Sequence, residues 1–161
     1  MPQIKFKPVP LEHEPKKQNR FSLIFPTEIG IESYLVQTVS RPSATINMKS
    51  YKAKWDNMRI SFVDPIGPST SSKIYNWMKL QEKSRITRLQ EKIFSFFCKN
   101  IKNKKIKLIL QALDPTGIEI ERFVLNDCEI VEVNFGNNDY TSEELLMPWI
   151  IIKIKSAELV Y

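Results

Sequence analysis

The chain has 161 residues, of which 42% are apolar and 26% charged, with a formal net charge of +6. That length suits one domain, and the apolar share excludes a wholly disordered chain. The most apolar stretches, such as Phe94–Cys98, which includes Ser95, and Trp149–Ile152, fall far short of the roughly 20 residues of a membrane span. Met1–Pro8 has no apolar signal-peptide core. Two cysteines, Cys98 and Cys128, make neither a disulfide framework nor a zinc site. A soluble, cytosolic protein is expected.

Residues 1–19 hold Pro2, Pro8, Pro10 and Pro15 and little periodicity. Proline removes a backbone donor and disfavours helix, so this reads as an extended arm. It is either a disordered terminus or a segment that orders only against a neighbour. A single domain is expected over residues 20–161. Arg20–Pro26 alternates Phe21, Leu23 and Phe25 on one face, a strand that Pro26 stops. Ile31–Val39 reads as a second strand, Ile46–Lys52 as a third, and Asn57–Val63, with Met58, Ile60 and Phe62 on one face, as a fourth. Asp64–Ser72 gathers two prolines, a glycine and four hydroxyl residues, so it is a loop rich in helix caps.

From Ser71 to Asn100 the period becomes helical. Ile74, Trp77, Met78 and Gln81 share a stripe, as do Leu89, Ile93, Phe96 and Phe97, opposite Lys83, Arg85, Arg88 and Lys92. A break is expected near Ser84–Thr87, because thirty residues is long for one globular helix. Lys104–Leu113 then alternates as a strand. Asp114-Pro115-Thr116-Gly117 has the residue preferences of a type I turn, and Ile118–Leu125 pairs back as a hairpin. Glu129–Phe135 is the next strand, with Val131, Val133 and Phe135 on one face and Ile130, Glu132 and Asn134 on the other. Gly136–Glu144 is a polar loop, and Trp149–Val160 the last strand, facing Ile150, Ile152 and Ile154 one way. Eight strands and one helical segment define an α+β, mainly antiparallel chain: a β-sandwich or barrel with a flanking α-helix.

Chemistry is hard to place on this pattern. The one histidine, His13, lies in the proline-rich arm rather than beside a nucleophile. Cys98 and Cys128 read as small buried apolar residues. Four scattered glycines build no phosphate-cradling loop. Acid pairs such as Glu119/Glu121 and Glu143/Glu144 read as a solvated or interface face rather than a glycosidase dyad. No enzyme class and no cofactor is expected. Lys99, Lys102, Lys104, Lys105 and Lys107 could be solvated, guard a strand edge, meet a protein or touch phosphates. Yet no aromatic is interleaved for base stacking. Trp77 is expected in the core, Trp55 in core or interface packing and Trp149 partly exposed.

Several stretches in order carry a resemblance. Asn19-Arg20-Phe21 and Phe25-Pro26 open it, followed by Trp55 and Met58, Phe62-Val63-Asp64-Pro65 and Ile74-Tyr75-Asn76-Trp77. Leu113-Asp114-Pro115-Thr116-Gly117, Glu121-Arg122-Phe123 with Leu125 and Cys128, and Val133-Asn134-Phe135-Gly136 with Asp139-Tyr140 come next. Ala157-Glu158-Leu159-Val160-Tyr161 closes it. Over residues 19–161 the chain resembles the tail tube proteins of contractile-tailed bacteriophages, the T4-like tail tube family.

The resemblance implies a structural subunit of the virion tail, assembled in the host cytoplasm without a membrane. Six copies would close a ring, and stacked rings would form a hollow tube through which DNA passes without sequence specificity. Partners would be further copies and the sheath, baseplate and terminator proteins. Tail terminators, tube initiators, other baseplate rings and secretion-system tubes share this fold, so they stand as alternatives. A small basic nucleic-acid-binding β-domain is the alternative of a different class.

Charge separation bears on geometry. Between Asp114 and Glu144 nine acids meet one base, Arg122, a net −8; the other 130 residues hold 23 bases and nine acids, a net +14. Opposed charges suit head-to-tail contacts between copies. Candidate inter-subunit contacts are Arg20, Asp64, Pro65, Ser69, Asp139, Tyr140, Glu143 and Glu144, in the loops 64–72 and 136–144, with the arm beside them. Glu119, Glu121, Glu129 and Glu132 are candidates for an acidic face, lining a lumen or meeting a neighbour. Tube lumens in such families are often acidic, so a basic chain either turns this segment inward or belongs to a junction.

Overall fold

The architecture follows from short runs of alternating apolar residues, which can bury only one face each and so must pair as layers. A computed structural model describes residues 16–94 and 106–161, the side chains of 83–94 excepted. In chain order its strands are β1 (Phe21–Ile24), β2 (Val36–Val39), β3 (Ala44–Asn47), β4 (Lys52–Trp55) and β5 (Met58–Phe62). Helix α1 (Thr70–Phe94) follows, then β6 (Leu108–Leu113), β7 (Glu119–Asn126), β8 (Glu129–Asn134), β9 (Trp149–Lys153) and β10 (Ser156–Val160). One sheet has the order β1-β6-β7-β10, a second β2-β5-β9-β8, and β3 and β4 form a ribbon of their own. Every pairing is antiparallel. The two larger sheets face each other across one core and remain open at their edges: a sandwich with a helix, not a closed barrel.

The expected inward faces supply that core. Leu23, Met58, Ile60, Phe62, Leu108, Leu125, Ile150 and Ile152 are all 0–1% exposed, each burial stabilising by roughly 1.5–3 kcal/mol. Trp77 and Ile74 bring α1 onto this core. The Trp77 ring meets Phe25 edge-on at 6.3 Å between centroids, and Phe25 packs on Phe62 at 6.0 Å, the geometry aromatic quadrupoles favour. Trp55 packs half-buried against the core, and Trp149 lies under the Arg59 guanidinium, 4.2 Å from its ring centroid. No helix among the described residues is long and apolar enough to cross a membrane.

Among the described residues ten strands stand where the sequence pattern suggests eight, for local reasons. Within Ile31–Val39, Ile31, Leu35 and Val36 are buried rather than alternate residues. That spacing belongs to the 3₁₀ turn Ser33–Leu35 that precedes β2. Ile46–Lys52 is not one strand but the end of β3, a turn and the start of β4. The Asn47 carboxamide oxygen accepts from the Lys49 N–H at 2.9 Å, an Asx turn, and Tyr51 takes φ 52°. Helix α1 runs unbroken through Ser84–Thr87, where neither glycine nor proline interrupts it. Phe96, Phe97, Cys98 and the lysines from Lys99 to Lys105 lie outside the described residues, as do His13 and residues 1–15 of the arm.

The last strand bends at Ile154–Lys155 and changes sheets. Ile150, Ile152 and Ile154 face the core before the bend; after it Ala157 packs inward and the parity flips. Beside it Asn126–Cys128 makes the opposite crossing, with Asp127 at φ 53°. The two corners are tied by the Lys155 N–H donating to the Asn126 carbonyl at 3.0 Å and by an ion pair from Lys155 to Asp127 at 3.7 Å. In β8 the register slips between Ile130 and Glu132, leaving Val131 as an extra residue, 57% exposed. This bulge turns both Ile130 and Val133 toward the core, against the strict alternation expected of Glu129–Phe135.

The bulge sits at a sheet edge, and α1 holds it. The Gln81 side-chain amide donates to the Ile130 carbonyl at 2.9 Å, and its oxygen accepts from the Ile130 N–H at 2.8 Å. The side chain thus pairs with the edge strand as another strand would. Gln81→Leu should destabilise by about 1–3 kcal/mol, the cost of leaving both backbone groups unpaired. Urea unfolding followed by circular dichroism measures it; an unchanged midpoint would remove Gln81 from this role.

Candidate assembly surfaces

The acids expected on one exposed face are divided by the fold. Glu119 and Glu121 belong to β7, whereas Glu129 and Glu132 belong to β8 on the other sheet. Glu132 is exposed and Glu129 half-buried. Glu119 accepts from the Arg122 Nε at 2.5 Å and from the Gln111 amide. Glu121 is only 4% exposed, so it stands on no open acidic face. The cause is a register shift opposite Ala112 and Leu113 that leaves Ile120 as the extra residue.

Two cations compensate the buried Glu121 carboxylate. Lys16 reaches one oxygen and Arg41 the other, and the Arg41 guanidinium also lies 5.2 Å from the Phe123 ring centroid. Burial alone would raise this carboxyl; the Lys16 hydrogen bond and the Arg41 charge outweigh it and hold the group below its ordinary 4.5. The three residues line a cleft of about 540 Å³ floored by Phe21, Leu110 and Phe123. Sequence spacing hides this contact, since the partners lie 105 and 80 positions apart.

Asp64 has a local task. Its Oδ1 accepts from the Thr70 N–H at 2.7 Å and the Ser71 N–H at 3.3 Å, while the Ser69 and Ser71 hydroxyls donate to the carboxylate. Burial pushes this group up, but the Ser71 hydroxyl and these N–H donors together bring it below its ordinary 3.8. A negative charge is thereby fixed over the first turn of α1, where backbone donors lack helical partners. The completely buried Thr70 hydroxyl donates to the Val63 carbonyl at 2.9 Å. Ser69 and Pro65 are half-buried in the same loop, and its tip is the fully exposed Ile66.

The loop from Gly136 to Met147 is more open. Asp139 accepts from the Thr141 N–H at 2.8 Å and its hydroxyl at 2.7 Å, an Asx turn that leaves Tyr140 fully exposed. Glu143 and Glu144 are exposed. Leu146 is anchored at the base: the Asp64 N–H donates to its carbonyl at 3.1 Å. At Gly136 φ is +85°, a conformation that favours glycine, and a Cβ there would meet the Leu146 Cδ1 at 2.7 Å and push that side chain aside. Arg20 is half-buried, its carbonyl accepting from the Leu113 N–H at 3.0 Å. Of the contacts suggested by sequence, the Asp64 loop thus adjoins the base of the Gly136–Met147 loop, while Arg20 lines the cleft beside Glu121.

One surface was not anticipated. The ribbon β3–β4 has Ile46 at 61%, Met48 at 77% and Tyr51 at 81% exposure. Its signal was present, a turn of Asn47-Met48-Lys49-Ser50 between apolar-bearing flanks, but the run 46–52 also fits a strand. Among the described residues no group of three or more His, Cys, Asp and Glu could hold a metal ion. Cys128 is buried beside β6, and burial pushes its thiol up to about 12, which keeps it protonated and unreactive.

Comparison of the sequence with protein-family models and with curated proteins finds no match. The fold does have matches among solved structures. A chain of the sheath–tube complex of an extracellular contractile injection system in its extended state aligns at a TM-score of 0.58 and 10% identity, over 93% of this chain and 94% of that one. A chain of the sheath/tube terminator of such a system gives 0.57 and 11%, over 91% and 97%. Hcp1 from Flavobacterium johnsoniae gives 0.51 and 13%, over 87% and 94%. The chain has a contractile-tail-tube-like fold, as its sequence resemblance implies.

The Glu121 site yields a pH prediction. Its folded value lies below the unfolded one, so its contribution is complete above about 4.5 and is lost as pH falls through the folded value. Glu121→Gln should flatten the decline of thermal stability between about pH 5 and pH 3 relative to wild type. Parallel slopes in differential scanning calorimetry would show that the cluster does not titrate with folding.

Proposed function

We propose that this protein is a structural subunit of a contractile tail-like assembly, closing into rings that stack as a hollow tube. The observation that supports it is the likeness over nine-tenths of the chain to components of sheath–tube and terminator complexes. The surfaces fit such a role: loops and a ribbon that present apolar and charged residues outward, on a frame whose own polar sites serve folding. Assembly is then the activity, and no chemistry is required of any side chain.

Six copies per ring is the arrangement the tail-tube resemblance implies, with Tyr140, Glu143 and Glu144 as ring contacts. Arg20, Asp64, Pro65 and Ser69 would join them where a neighbour approaches the start of α1 or the cleft. Glu132 is the best exposed of the four acids assigned to a lumen. In a phage virion the channel would carry DNA; the matched structures named above come from injection systems and Hcp1, which favours a tail-like conduit as the broader reading. A terminator or cap is the second reading, favoured by the terminator likeness and by the cap of the anti-feeding prophage, aligned at a TM-score of 0.56 and 12% identity.

Sedimentation velocity and negative-stain electron microscopy of the purified chain distinguish these. A tube subunit should give rings and concentration-dependent stacks, and a terminator single rings that do not extend. A chain that stays monomeric while binding DNA with a steep salt dependence would instead be a nucleic-acid-binding domain.

A further inference from the structure

We infer that the β3–β4 ribbon of one copy docks on the 136–147 loop of a second copy. This rests on the self-assembly reading and specifies its contact. The ribbon pairs with neither sheet. It is rooted by the half-buried Trp55 packed against the core and, at its base, by the Ser43 hydroxyl donating to Asp56 and the Asp56 N–H donating to the Ser43 carbonyl, both at 2.9 Å. Beyond that root every residue from Ala44 to Lys54 is exposed. An isolated two-stranded ribbon is marginal in water, and one that exposes Ile46, Met48 and Tyr51 gains most by covering them.

Charge and shape select the cover. Residues 43–55 carry Lys49, Lys52 and Lys54 and no acid; residues 136–147 carry Asp139, Glu143 and Glu144 and no base. The segments are therefore +3 and −3. The loop encloses a concavity of about 680 Å³ with Tyr140, Leu145 and Met147 at its surface. Leu146, held under Gly136 and bonded to Asp64, fixes its floor before any partner arrives. A contact between different surfaces of two copies is heterologous, so it closes as a ring or extends as a filament.

Charge exchange tests this in the full-length chain. The ribbon variant Lys49→Glu/Lys52→Glu and the loop variant Glu143→Lys/Glu144→Lys should each raise the concentration for half-assembly about tenfold. Joining all four changes in one chain should restore it to within about threefold of wild type. Wild-type assembly that neither reversal weakens, or reversals that do not rescue one another, would overturn the contact and leave the tube reading standing. A wild type that never assembles would overturn both. If the ribbon reversal abolishes DNA binding and leaves assembly unchanged, the ribbon is a nucleic-acid surface and the contact is wrong. A second measurement is independent of how the charge variants fold: Met48→Cys protein mixed with Leu145→Cys protein should give a disulfide-linked pair on oxidation that neither forms with wild type. Its absence from assembled material would count against the contact.

Discussion

Everything else in the molecule depends on one shared apolar layer between two sheets that no single segment could bury alone. The chain builds it by crossing between sheets twice at one corner, through Asn126–Cys128 and Ile154–Lys155. The crossings keep Leu125 and Ile150 at complete burial while moving their neighbours into different sheets. Neither sheet is stable as a separate object, because each exposes the other's half of the core. The helix completes this layer with Ile74 and Trp77, and its position fixes where the loops before it and the edge strand beside it can lie.

Polar groups are placed with the same economy. Asp64 and Glu121 both have carboxyl groups that burial would raise and specific donors lower. One stabilises the start of a helix; the other ties Lys16 and Arg41, remote in sequence, to β7. These charges are committed to the fold and contribute little to an external field. The ribbon and the 136–147 loop retain their charge toward solvent. A net +6 thus conceals two populations of charge, one internal and compensated, one external and separated.

Much of the core was legible in sequence because period-2 alternation survives in β1, β5, β6 and β9. Met58, Ile60 and Phe62 could be assigned inward from spacing alone, as could Trp77 from its helical stripe. Bulges were not legible. One extra residue, Val131 or Ile120, changes which side chains face inward, and nothing in composition marks it. The burial of Glu121 is a long-range fact of the same kind, depending on Lys16 and Arg41 arriving from distant segments. The bend at Ile154–Lys155 was hidden because an apolar run reads alike whether it stays in one sheet or changes to another. The ribbon turn was obscured by lysines that suit a turn or an edge strand equally.

The Gln81 amide has a consequence for the open edge of its sheet. β8 is an outer strand, and an outer strand ordinarily offers its free N–H and C=O groups to any extended chain that passes. With Ile130 already occupied by a side chain of the same molecule, that template is interrupted part-way along. A strand arriving there would have to displace the glutamine and lose two formed bonds before gaining its own. The β8 margin of the sheet is therefore obstructed part-way along. An edge so obstructed is biased against indiscriminate lateral sheet extension.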